Sequence, residues 1–73
     1  MAKASLIELQ REIGKAVAKA RLEQGLTQQG LARQLKTRQA NISRIERGLQ
    51  NLSLDLLARL SDALSLRLHL RLK

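Results

Sequence analysis

The residues of this chain best suited to bind another molecule are amide and guanidinium side chains between positions 39 and 47. Glutamine and arginine present hydrogen-bond donors and acceptors at fixed spacing, so they can bind the edges of DNA bases and the neighbouring phosphates. If this segment is helical, one face of it carries Gln39, Ala40, Ser43, Arg44 and Arg47. The sequence therefore predicts a helix face that contacts DNA.

Two short helices joined by a tight turn are predicted to position this face. Leu31, Ala32 and Leu35 recur in the first helix, and Ile42 and Ile45 in the second, at the three- and four-residue spacing of a buried stripe. Packing these stripes together leaves the polar face of the second helix exposed. Many proteins use such a unit to place its second helix in the major groove of DNA.

The segment 26–48 resembles the phage-repressor and Cro-like helix-turn-helix family. The family pattern runs L-T-Q-x-x-L-A-x-x-x-G-V-S-x-x-x-I-S-x-x-E-x-G. The residues that match it are Leu26, Thr27, Gln28, Leu31, Ala32, Ile42, Ser43, Glu46 and Gly48. The resemblance covers roughly residues 13–64 and implies a helix-turn-helix over residues 27–47, with the second helix as the recognition helix.

The resemblance also implies roles for individual side chains. Gln28 would brace Gln39 and hold a phosphate, and Gln39, Ala40 and Arg44 would read bases. Arg21 would pair with Glu46 and fix the recognition helix to the first helix of the domain, the alternative being two independent surface charges. The residues expected to contact DNA are Gln28, Gln29, Arg38, Gln39, Ala40, Asn41, Ser43, Arg44 and Arg47.

The turn departs from the family pattern. Lys36, Thr37 and Arg38 stand where the family has Gly, Val and Ser. Lysine in a left-handed conformation costs about 1 kcal/mol relative to glycine. We therefore expect a turn that is strained or slightly different in geometry.

Charge favours the same function. The chain carries a formal charge of +8, and residues 27–48 hold five basic residues against one acid. A basic surface can also serve solubility alone, so charge by itself leaves both interpretations open. Charge combined with the motif favours DNA, because the basic residues are concentrated where the motif would meet phosphates.

Composition limits how a chain of 73 residues can be stabilised. We expect one small domain, residues 1–73, with an aliphatic core, because Phe, Trp and Tyr are absent. With no Cys and a single His, neither disulfides nor a metal site are expected, and no cofactor is predicted. Oligomerisation is the remaining means of support. No bilayer-spanning run and no signal peptide are visible, which predicts a cytoplasmic protein without membrane contact.

Two further helices complete the predicted body. Ser5 and Glu8 form a capping-box pattern, which predicts that the first helix begins at Ser5 and ends near Gly25. Ser53 is a plausible cap for a helix that runs to about Leu64. The predicted fold is therefore mostly α, a four- to five-helix repressor-like domain.

The C-terminal segment 66–72 shows a different periodicity. Leucines alternate with polar residues, and a strand would place Leu66, Leu68, Leu70 and Leu72 on one face, whereas a helix would not. No other segment of the chain has the pattern of a β-strand. The simplest pairing partner is therefore the same strand of a second copy, antiparallel across a two-fold axis. A similar strand occurs in HipB-type antitoxins. The alternative is a frayed tail.

Together these features predict a sequence-specific transcriptional repressor that binds an inverted-repeat operator in double-stranded DNA as a homodimer. The likeness to antitoxins adds a cognate toxin as a further partner, in an operon whose promoter the protein itself represses. A stand-alone regulator and a protein-binding adaptor are the alternatives. An enzyme is not expected, because the chain has no thiol, one isolated His and no carboxylate pair with an evident pocket.

Overall fold

The computed structural model describes residues 3–65, which form four helices connected by short loops. They are α1 (Lys3–Glu23), α2 (Gln28–Gln34), α3 (Gln39–Glu46) and α4 (Leu54–Leu64). The helical part of the predicted fold is confirmed, with α2 and α3 as the two helices of the motif. The predicted strand 66–72 and its dimer contacts lie outside the described residues. No helix within residues 3–65 is long and apolar enough to cross a membrane.

An aliphatic core lies where the four helices meet. α3 packs against both α1 and α2, and α4 packs against α1. The buried side chains are Val17, Ala20, Leu31, Ala32, Leu35, Ile42, Ile45, Leu60 and Leu64. They include the five apolar residues that the sequence assigns to the inner faces of the motif, so α3 turns its polar side outward.

Two glycines allow α1 to approach the end of α3 closely. A Cβ added at Gly14 would overlap the carbonyl oxygen of Ile45 and lie 2.8 Å from that of Glu46. A Cβ added at Gly48 would lie 2.9 Å from the Cα of Arg11. Gly14 belongs to none of the motifs predicted from the sequence, although an isolated glycine in a helical pattern is a known signal of close packing.

Three helices end in the same hydrogen-bonded motif. After α1, α2 and α3 the chain enters the left-handed region, at Gly25 (φ 70°), Lys36 (φ 55°) and Gly48 (φ 72°). Each of these residues donates its N–H to a carbonyl three residues earlier, and the next residue donates to a carbonyl five residues earlier. This is the Schellman pattern, in which glycine is the usual left-handed residue. Of the two outcomes expected for this turn, strain and a different geometry, the structure has the strained one at Lys36.

The helix starts show one agreement and one correction. Ser53 caps α4, because its Oγ accepts from the N–H of Leu56 at 3.0 Å. The prediction that α1 begins at Ser5 is wrong, since the helix begins at Lys3 and contains Ser5. Lysine and alanine are good helix formers, so the helix continues upstream of a residue that could have capped it.

Replacing Lys36 with glycine should raise the free energy of unfolding by about 1 kcal/mol, because glycine adopts a positive φ without the steric cost of a Cβ. Lys36→Ala keeps the Cβ and removes the charged side chain beyond it. It is the matched control and should change stability by less than about 0.5 kcal/mol. Urea denaturation followed by circular dichroism measures both. Equal stabilisation by glycine and alanine would assign the effect to charge rather than to backbone strain.

Candidate nucleic-acid interface

The outer face of α3 combines exposed amide and guanidinium groups with a buried inner face. Ile42 and Ile45 are 0% and 2% exposed, and they fix the rotation of α3 about its axis. The residues that this rotation leaves exposed are Gln39, Ala40, Arg44 and Arg47, while Ser43 is half-buried. Four of the five residues of the predicted DNA face thus lie at the surface, three of them on α3 and Arg47 directly after it as the C-cap residue.

A continuous chain of hydrogen bonds runs from α1 to the first residue of α3. Arg21 Nε donates to Glu46 Oε2 at 2.6 Å and Arg21 Nη2 donates to Glu46 Oε1 at 3.1 Å. Gln28 Nε2 donates to the same Glu46 Oε1 at 3.0 Å. Gln39 Nε2 then donates to Gln28 Oε1 at 3.0 Å. The structure therefore brings together the four residues that the family resemblance pairs.

The direction of this hydrogen-bond chain follows from the charge at its centre. An ionised carboxylate can only accept hydrogen bonds, so Gln28 must turn its NH₂ group toward Glu46. The carbonyl oxygen of Gln28 then faces Gln39, so Gln39 must donate a hydrogen bond to it from its own NH₂ group. Gln39 is left with its carbonyl oxygen and one N–H pointing away from the chain. An exposed acceptor and donor thus lie side by side at the start of α3.

The ion pair at the centre of the chain is shielded from solvent. The side chains of Arg21 and Glu46 are 12% and 7% exposed. The pKa of Arg21 is raised chiefly by its hydrogen bond to Glu46; burial opposes this rise and the carboxylate charge adds to it. Arg21 Nη1 also donates to the carbonyl of Leu26 at 2.8 Å, which ties the loop before α2 to the same guanidinium. One arginine therefore orients α1, the α1–α2 loop and α3 relative to one another.

The helix that carries Gln28 is held by its own cap. Thr27 Oγ1 accepts from the N–H of Gly30 at 2.9 Å, so α2 begins immediately after Thr27. Gln28 is the first helical residue and is half-buried, whereas Gln29 beside it is exposed. Only Gln28 joins the hydrogen-bond chain.

The remaining predicted contact residues fall into two groups. Arg38 is the exposed N-cap residue of α3 and makes no capping bond with its side chain. Asn41 is half-buried, and its Nδ2 donates to Thr37 Oγ1 at 2.7 Å. Part of the Asn41 amide is therefore used to hold the turn. The family pattern gives no role to Thr37, and only the folded turn brings its hydroxyl within reach of Asn41.

Electrostatics favour an anionic partner for this face. The basic side chains of residues 27–48 that are exposed are Arg33, Lys36, Arg38, Arg44 and Arg47. The one acid of the segment, Glu46, is directed inward to Arg21 and Gln28. Its negative charge is thus neutralised inside the domain. Within residues 3–65 no cluster of side chains could hold a metal ion.

The match to known proteins covers the same region. Residues 17–70 match a family model described as Helix-turn-helix. The match begins within α1, so the first part of that helix lies outside it. No curated protein is significantly similar to the chain.

Replacing Glu46 with glutamine should destabilise the protein by about 3 kcal/mol, because Arg21 would remain desolvated without a counter-charge. A core of this size rarely supplies more than about 3–5 kcal/mol, so the variant should lose most of its helical signal in mild urea. Arg21→Met combined with Glu46→Leu removes both charges and should cost much less. Circular dichroism in a urea titration compares the two. A double variant no more stable than Glu46→Gln would show that charge pairing is not the cause.

Proposed function

The chain belongs to the Cro-like helix-turn-helix family of DNA-binding transcription regulators, and we propose that it is a sequence-specific repressor. The observation that carries this proposal is the oriented amide of Gln39, exposed at the start of α3 and braced by Gln28. A side chain whose donor and acceptor are fixed before binding loses little conformational entropy when it meets a base edge. The inward direction of Glu46 removes the one nearby charge that would repel DNA.

The polarity of Gln39 supports a specific base preference. Its free carbonyl oxygen and its free N–H match the N6 amino group and N7 of adenine in the major groove. Arg44 lies five residues further along α3 on the exposed side and has the fork geometry that binds guanine O6 and N7. We therefore propose Gln39, Arg44 and the small Ala40 between them as the base-reading residues.

Phosphate and sugar contacts are proposed for the other polar residues around α3. The set comprises Gln28, Gln29, Arg38, Asn41, Ser43 and Arg47. Arg38 and Arg47 flank the two ends of the recognition helix, a placement that suits phosphates on either side of a groove. Asn41 contributes only the groups that its bond to Thr37 leaves free.

We propose that two copies act together as a homodimer, paired through the leucines of the predicted strand 66–72. One recognition helix reads only three or four base edges, which is weak against the many competing sites of a genome. Two-fold pairing doubles these contacts and requires an inverted repeat. Bound at a promoter, such a dimer excludes polymerase by steric hindrance and needs no cofactor.

A cognate toxin is a further proposed partner, supported by the likeness of the tail to that of HipB-type antitoxins. The protein would then repress its own operon in the cytoplasm as the antitoxin of a pair. A stand-alone regulator is the alternative, and the identity of the adjacent reading frame separates the two. A protein-binding adaptor is less well supported, because it gives no role to the braced amide of Gln39.

Selection of duplexes from a random library with the full chain tests the proposed function. The enriched sequences should be inverted repeats whose half-site centres lie about 34 Å apart. Gln39→Ala and Arg44→Ala should each weaken binding to the enriched duplex by about 1–3 kcal/mol and relax one base preference. Fluorescence anisotropy at fixed salt concentration compares this duplex with a scrambled one.

Gln34→Ala is the matched control for these variants, because Gln34 is an exposed amide at the end of α2 outside the proposed interface. It should bind both duplexes as the wild type does. Equal losses of Gln39→Ala on enriched and scrambled DNA would contradict its role as a base reader. Failure of the wild type to enrich any sequence would overturn the proposed function.

Deleting residues 66–73 should convert the dimer to a monomer, because the proposed leucine pairing is lost with them. Light scattering coupled to gel filtration measures the mass, and circular dichroism checks that the helical body is retained. The control is Arg67→Gln with Arg71→Gln, which changes the other face of the predicted strand and should leave the dimer intact. A truncated chain that is still dimeric would exclude this mode of pairing.

A further inference from the structure

Arg59 contacts the helix-turn-helix from outside it. Arg59 lies on α4, and its Nη2 donates to the carbonyl oxygen of Leu35, 24 positions earlier in the chain. Leu60 beside it is fully buried, which anchors this part of α4 in the core and fixes where the arginine projects. The family pattern assigns no role to this residue.

The carbonyl of Leu35 lies at the end of α2, directly before the residue with the strained backbone. Leu35 is the C-cap of α2, with φ −90° and ψ 0°, and the next residue is the strained Lys36. The neighbouring carbonyls of Ala32 and Arg33 accept from the N–H groups of Thr37 and Lys36. The carbonyl oxygen of Leu35, which lies just after the last residue of α2, accepts no hydrogen bond from a backbone N–H among residues 3–65. The guanidinium of Arg59 therefore supplies its partner.

Holding this oxygen also holds the conformation of Lys36. The carbonyl of Leu35 and the nitrogen of Lys36 belong to one rigid peptide plane. If Lys36 relaxed to a negative φ while α3 stayed in place, this plane would rotate and its oxygen would leave Arg59. The hydrogen bond thus opposes the relaxation that steric strain at Lys36 favours.

Arg59 makes no salt bridge among the described residues, although Asp55 and Asp62 lie four residues before it and three residues after it on α4. The ion pair of Arg21 with Glu46 is the one salt bridge within residues 3–65. A cation at the C-terminal end of a helix is favoured by the helix dipole, and a charge-assisted bond to a carbonyl is stronger than a neutral one. The contact is therefore suited to a positioning role.

We propose that Arg59 is a positioning residue for the DNA interface, holding the α2–α3 turn in the left-handed conformation that aims α3. The inference rests on the proposed function, and it adds a residue of α4 to the determinants of sequence preference. Arg59 acts through the Leu35–Lys36 peptide and not through contact with DNA. Its loss should therefore reduce discrimination between sequences more than it reduces attraction to phosphates.

Arg59→Met, which keeps an apolar stem and removes every donor, tests this proposal. The probes are the duplex enriched by the wild-type full chain and a scrambled duplex of the same composition. The ratio of the two affinities should fall by about tenfold or more. Lys19→Met, which removes one exposed charge from α1, is the control and should keep the ratio within about twofold.

A second measurement needs no DNA. Amide hydrogen exchange at Thr37, whose N–H bonds to Ala32 O across the turn, should become about tenfold faster in Arg59→Met, whereas exchange at buried Val17 should not change. Adding Lys36→Gly should restore both the exchange rate and the affinity ratio, because glycine adopts the required φ without strain. If Arg59 merely stabilised the fold, exchange at Val17 would become faster together with exchange at Thr37, and this difference separates the two roles.

Two outcomes would overturn the inference. Equal loss on both duplexes, with a salt dependence reduced by about one phosphate contact, would assign Arg59 to direct DNA binding. Unchanged affinity ratio and unchanged exchange at Thr37 would show that the turn does not need the arginine. If Arg59→Met does not fold, Arg59→Lys keeps a cation but loses the fork and should show a smaller change in the same direction. If the wild type enriches no sequence, the proposed function is wrong. Hydrogen exchange at Thr37 then still tests whether Arg59 holds the turn.

Discussion

The ion pair between Arg21 and Glu46 is the interaction on which the arrangement of this protein depends. It joins the end of α1 to the end of α3 through two hydrogen bonds of 2.6 and 3.1 Å, in a site that is nearly closed to solvent. Because the carboxylate only accepts, it dictates which way the amide of Gln28 points, and Gln28 in turn dictates Gln39. The polarity of the outermost amide on α3 is therefore determined by a charge at the opposite end of the same helix.

A small aliphatic core cannot supply this directionality. Leucine and isoleucine packing is favourable over a range of small rotations, whereas a bidentate guanidinium contact and an amide chain tolerate few geometries. Gly14 allows both kinds of interaction to operate, since a Cβ there would collide with the last carbonyls of α3 and separate the helices. Burial of the ion pair is costly in itself, and its value to the protein lies in fixing α3 to α1 in one orientation.

The turn between α2 and α3 combines strain with charge. Lys36 adopts a conformation that Gly25 and Gly48 adopt at the equivalent position after α1 and α3, and it does so with a Cβ. Backbone strain of this kind persists where surrounding contacts hold it, and it is common at functional sites. The contacts that hold this turn include the bonds of Thr37 to Ala32 and Asn41, and that of Arg59 to Leu35. The strained residue also adds an exposed positive charge beside the proposed interface.

The sequence alone determined the helices of the motif, their buried faces and the polar face of α3, because helical periodicity and capping chemistry depend on residues a few positions apart. The expectation of a strained or altered turn at Lys36 and the pair of Arg21 with Glu46 followed only from a family resemblance. The tertiary structure decided the contact of Arg59 with Leu35 and that of Gln24 with Leu64, between residues 24 and 40 positions apart. No local pattern encodes such contacts, since they exist only once the packed helices bring distant side chains together.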